Sequence, residues 1–133
     1  MTTSYAPIAH GLLRIVAGLL FLFHGTVKIF GFPPGAQPGQ VEPFTQMGVG
    51  GAIELVAGTL IMIGLFSRTA AFIASGEMAI AYWQFHAPQN LYPVVNQGDA
   101  AILYCFIFLF IAAAGPGAWS VDGLRAGRSN GAR

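Results

Sequence analysis

The stretch Leu12–Phe32, LLRIVAGLLFLFHGTVKIFGF, is apolar enough to cross a bilayer, yet it carries Arg14, His24 and Lys28. Ionisable groups at membrane depth are expensive and rarely face lipid, so each needs a partner or a wet cavity. At about 100° per residue, Arg14, Gly18, Phe21, Gly25 and Lys28 fall within roughly 40° of one line along a helix. Leu19, Leu20, Leu22 and Phe23 spread over the remainder. The predicted helix therefore has a lipid side and a small, charged side, and its neighbours must answer those charges.

The rest of the chain agrees with lipid as the main solvent. Its 133 residues fit one domain, and 55% are hydrophobic while only 8% are charged, against about a quarter charged in a soluble average. So few charges cannot coat a globule of this size. The formal net charge of +1 offers no basic patch of the kind nucleic acid requires. A single cysteine, Cys105, leaves no internal disulfide and no cysteine-built metal site. The opening MTTSYAPIAHG has neither a basic n-region nor a cleavage site of small residues, so the helix that follows reads as a retained span.

Four segments meet the length of about 17–25 residues that a span needs: residues 8–30, 48–66, 69–86 and 99–115. The fold class expected is an all-α, integral membrane four-helix bundle occupying residues 1–123, with a disordered tail over residues 124–133. Proline and glycine between Gly31 and Pro43, and again around HAPQNLYPVVNQG, keep those connections irregular. In the second span Gly50, Glu54 and Gly58 share a face; in the third, Ala70, Ala74, Glu77 and Ala81 do. Small residues at that spacing let helices approach closely. Trp83, Tyr92 and Trp119 suit an interfacial belt. With both termini cytoplasmic, Arg14, Arg68, Arg125, Arg128 and Arg133 lie on or near the inside and only Lys28 near the outside, the bias that sets orientation.

Depth then pairs the charges. At about 1.5 Å per residue, Lys28 lies some 3 Å and Glu54 roughly 9 Å below the outer helix ends, while Arg14 and Glu77 lie about 9 and 12 Å deep on the inner half. The expected pairs are Lys28–Glu54 and Arg14–Glu77, with His24 near the first. One reading makes these pairs glue, although a buried pair contributes little net stability. The other makes Arg14, His24, Lys28, Glu54 and Glu77 the lining of a polar pocket for a proton, an ion or the head of a lipid-soluble molecule, because perturbed groups cluster at functional sites. His10 and His86 read as interfacial. No HxxE, ExxH or CxxC spacing, nucleotide loop or nucleophile motif occurs, so no bound metal is expected. Phe106, Phe108 and Phe110 read as lipid-facing or packing residues.

The ordered strings RIVAGLLFLFHGTVKIFGF, ELVAGTLIMIGLFSRTAA and EMAIA resemble the DoxX family of small four-helix membrane proteins. The matching features are Arg14, His24-Gly25 with Lys28, Glu54 with Gly58, Gly64, and the Ser67-Arg68 turn. NQGDAAILY and GPGAWSVD resemble the family's N-x-G-E-x-x-x-L-Y and G-x-G-x-x-S-x-D endings, with Asp99 where glutamate is usual. The resemblance covers residues 10–123. It implies an oxidoreductase component, since some relatives are the membrane subunit of a thiosulfate:quinone oxidoreductase and others accompany thiol or oxidative-stress complexes.

The sequence itself holds no redox-active dithiol, haem ligand pair or flavin motif. Electrons would come from a partner and go to a quinone. The leading expectation is thus a multi-pass bacterial inner-membrane subunit of a redox system, binding quinone in the pocket, with the bilayer and a protein partner or second copy around it. The competing readings are a non-catalytic anchor or assembly factor that recruits a soluble enzyme, and a small transporter subunit.

Overall fold

In a computed structural model, which describes residues 4–131, the chain is all-helical, with no strand among the described residues. The helices are α1 (Ala6–Phe30), α2 (Gln46–Ile63), α3 (Ser67–Ala81), α4 (Pro93–Asn96), α5 (Asp99–Ala114) and α6 (Val121–Gly131). A π-turn, Tyr82–His86, carries α3 onward toward α4. By length and composition, α1 and α2 can each cross a membrane; α5 is a shorter apolar helix.

Helix α1 begins with Pro7 in its first turn, where a missing N–H costs nothing, and ends at Gly31, whose φ of 68° gives the left-handed stop. Its small face is buried against α2. A Cβ on Gly18 would stand 2.6 Å from Met62 N, and one on Gly25 2.5 Å from Leu55 N. From the other side Gly58 meets the backbone of Leu22, and Gly51 meets the Lys28 stem. Backbones therefore touch directly, the arrangement that lets helices associate in lipid by van der Waals contact. Gly51 serves this contact with α1, while Gly50 turns toward α3.

Helix α3 packs mainly on α5, and α2 meets α3 less extensively. The shared core is Phe21, Ala57, Ile61, Ala70, Ala74, Phe108 and Ile111 with their neighbours. Phe21 packs edge-on against Phe108 at 4.8 Å. Phe108 is fully buried, whereas Phe106 and Phe110 face outward, so the three phenylalanines divide between packing and the apolar exterior.

Disorder was the expectation from Leu124 onward; the described part of that segment is helix instead. Ser120 Oγ accepts the Gly123 N–H at 2.9 Å and starts α6. The Asp122 N–H donates to Gly64 O at 2.8 Å and ties α6 to the α2–α3 turn. Residues 132 and 133 lie outside the described residues.

Candidate functional site

Two polar layers lie along α1, one at each end. The layer near its C-terminus is built around Glu54, which is fully buried on α2. Lys28 Nζ donates to both Glu54 oxygens, at 2.7 and 2.9 Å. The lysine side chain is 15% exposed, so the pair has one edge open.

Glu77 does not reach Arg14. Its half-buried carboxyl lies near Glu54 and Lys28. Two carboxyl groups and one ammonium thus share this layer. Glu77 Oε2 is buried and has no hydrogen-bond partner among the described residues. An unsatisfied buried oxygen is costly and calls for an explanation, a ligand or solvent among them.

His24 stands at the exposed edge of the same layer, within electrostatic reach of Glu54 and Lys28. Its Nδ1 lies 3.1 Å from Leu20 O. A carbonyl only accepts, so Nδ1 carries the hydrogen and Nε2 is left as an acceptor. The imidazole meets Tyr104 of α5 edge-on at 5.6 Å, and Tyr104 in turn lies near Glu54. The apolar pattern of residues 99–115 does not single out Tyr104, whose hydroxyl in mid-helix is its only sequence signal. Each of α1, α2, α3 and α5 thus contributes to one layer. Among the described residues no group of three His, Cys, Asp or Glu converges as a metal site.

The second layer answers Arg14 without any carboxylate in contact. Arg14 is fully buried. Its Nε donates to Pro116 O at 2.6 Å, Nη1 to Ile61 O and Met62 O at 2.8 and 2.7 Å, and Nη2 to Ala118 O and Trp119 O, both at 2.9 Å. A guanidinium has five N–H donors, so every one is used. The expected Arg14–Glu77 pair is therefore corrected: the last carbonyls of α2, which a helix leaves without intrahelical partners, and the loop before α6 satisfy the arginine instead. Gly64, at φ 75°, makes room, since a Cβ there would sit 2.8 Å from Arg14 Nη1.

Polar contacts continue around this end. His10 Nε2 lies 2.8 Å from Gly115 O, and Arg68 donates to Ala113 O. Asp122 accepts the N–H groups of Phe66 and Ser67, each at 2.9 Å, at the start of α3. At the opposite end, His86 Nδ1 lies 3.0 Å from Asn96 O. Of the five sequence candidates, four (His24, Lys28, Glu54 and Glu77) come together, and Arg14 stands apart.

The sequence model of the DoxX family matches residues 10–87. An uncharacterized protein of Haemophilus influenzae is 39% identical over 125 residues, covering 90% of this chain and 92% of its own length. An uncharacterized membrane protein of Mycobacterium tuberculosis is 26% identical over 129 residues, covering 83% of this chain and 77% of its own. No solved structure matches.

Proposed function

The chain belongs to the DoxX family of membrane proteins, and from that premise we propose that it is a multi-pass inner-membrane subunit that binds a lipid-soluble quinone beside Glu77 and works with a redox partner. Both termini are cytoplasmic in this reading, with α1, α2, α3 plus its π-turn, and α5 as the spans. The observation that carries it is the Glu77 carboxyl: it lies near the Lys28–Glu54 pair and keeps one buried oxygen unpartnered. Apolar sites with a few converging polar groups fix the orientation of small molecules. A quinone, when bound, takes up two electrons and two protons to become a quinol. The N–H of Lys28 that Glu54 does not take would orient its carbonyl, His24 Nε2 would accept from the quinol hydroxyl, and Glu77 would hold a proton near it. The electrons come from the partner's redox group.

Mass spectrometry of lipid-soluble molecules retained in mild detergent tests the reading. Wild-type protein should retain quinone, and Glu77→Gln and His24→Leu should each lose it while staying monodisperse and helical. Wild-type protein that holds nothing above the detergent blank would favour the anchor. Orientation is tested in a Cys105→Ala background. Gln37→Cys should react with an impermeant thiol reagent from outside intact cells and Arg128→Cys should not; the reverse pattern overturns the topology.

A further inference from the structure

Helices α2 and α3 are parted along their outer faces by a cleft of about 580 Å³, lined on α2 by Val49, Ile53, Val56 and Leu60 and on α3 by Ala70 and Ile73. That volume falls in the range of small-molecule sites, about 300–1,000 Å³. No charged side chain lines it. Val49, Val56, Phe66 and Ile73 are exposed along it, so its long side opens where a bilayer would lie.

The two ends of the cleft differ. One closes at Phe66 and the turn into α3. The other runs toward Glu77, which follows Ile73 by about one turn on the same face of α3. Gly50 lets the carboxyl approach α2 closely there: a Cβ on it would stand 3.0 Å from Glu77 Oε1. Beyond Glu77, Gln46 Nε2 donates to Gln84 Oε1 and joins α2 to the π-turn. The cleft is thus an apolar slot that is open sideways, with Glu77 about one turn beyond its last α3 residue, Ile73.

We propose that this slot holds the isoprenoid tail of the ligand whose head sits at Glu77, and that the ligand enters sideways from the bilayer between α2 and α3. The proposal rests on the quinone reading and adds the tail site and the route. A phospholipid fits less well, because its phosphate would approach the Glu54 carboxylate while the one nearby lysine is already paired with it. A second copy of the chain would lay an apolar helix along the cleft and leave the Glu77 oxygen without a partner. A neutral head with a single tail avoids both conflicts.

The test uses full-length protein in phosphatidylcholine nanodiscs and two probes: a benzoquinone with a geranyl tail, and the same ring without one. Ala52→Trp and Thr69→Trp fill the slot from exposed positions; Ala52→Leu and Thr69→Leu give a graded, milder version should the larger residues disturb folding. The slot-filling variants should weaken the tailed probe about tenfold, near 1.4 kcal/mol, and the bare ring less than about twofold. Glu77→Gln should weaken both probes. Unchanged affinity for the tailed probe in folded slot variants overturns the slot and leaves the head-group site standing. Efficient cross-linking of two chains through Ala52→Cys, in a Cys105→Ala background, overturns it in favour of a dimer face. If wild-type protein binds neither probe, the quinone reading falls and the slot falls with it.

Discussion

Arg14 and Lys28 stand on one face of the same helix, about 21 Å apart by helical rise, and their surroundings are opposites. Arg14 is sealed: its five donors meet five backbone carbonyls drawn from the end of α2 and the loop before α6. Lys28 is only partly closed in, and its layer contains a carboxyl group with a buried oxygen still to be satisfied. A fully satisfied polar network rigidifies and specifies a fold. A partly satisfied one leaves hydrogen-bonding capacity for a ligand. Buried charge by itself therefore does not mark a site: Arg14 has no donor to spare, while the Lys28 layer has a carboxyl oxygen to spare; at the Arg14 end the buried atom without a partner is the neutral Ser67 hydroxyl.

The sharpest way to break this comparison is at Arg14. Arg14→Met removes all five donors at once and leaves carbonyls unpartnered, each costing about 1–3 kcal/mol when buried. Allowing for relaxation, a loss on the order of 5 kcal/mol is expected, read as a collapse of thermal stability in detergent. Arg14→Lys should rescue only in part, because an ammonium brings three donors and no planar fork. Trp119, whose φ of 58° is unusual for a bulky residue, should lose its fixed fluorescence environment. Equal melting of Arg14→Met and wild type would show that the clasp does not hold the two ends together.

A smaller effect is expected at the Lys28–Glu54 pair. Breaking a buried pair costs about 3–5 kcal/mol when the remaining charge stays dry. The open edge at Lys28 admits water, so the single substitutions Lys28→Met and Glu54→Gln should each cost about 2 kcal/mol, discounted for that exposure. The double variant should recover much of what either loses. Additive losses across the cycle would mean that the two groups do not interact.

How much of this was legible follows from what each residue answers to. The small face of α1 and the Lys28–Glu54 pair came through, because a regular helical period and helical rise are enough to place them. Arg14 was misassigned because depth matching considered only opposite side-chain charges, while its partners are the carbonyls of Ile61, Met62, Pro116, Ala118 and Trp119, which no residue type announces. Glu77 had a usable signal. Counted from Leu65 in the tight turn, Glu54 lies 65 − 54 = 11 residues back and Glu77 lies 77 − 65 = 12 residues on, so an antiparallel pair brings them level. The tail looked disordered by composition, yet Ser120 and Asp122 give α6 a start and an attachment.

Glu77→Gln sharpens the comparison from the other side. With no ion pair of its own to break, the substitution should change stability by no more than about 1 kcal/mol, in contrast to Arg14→Met. Its effect should fall on bound small molecules. A variant that melted far below wild type while retaining quinone would reverse the roles assigned to the two layers.

The smallest effect is expected at Asp122, which lies at the sealed end and outside the spans. Burial raises its pKa, but hydrogen bonds from the Ser67 and Phe66 N–H groups and the nearby Arg125 outweigh this and hold the carboxyl below its ordinary value. A depressed folded-state pKa contributes stability that is present above the unfolded value of about 3.9 and lost as pH falls through the folded one. Asp122→Asn keeps an acceptor oxygen but removes the charge at the start of α3, which should cost about 0.5–1 kcal/mol for so exposed a group. Melting profiles of wild type and Asp122→Asn from neutral pH downward should therefore run apart near neutrality and converge below about pH 4. A constant gap at every pH would assign the loss to amide geometry. The charge on Asp122 would then contribute nothing to the seal.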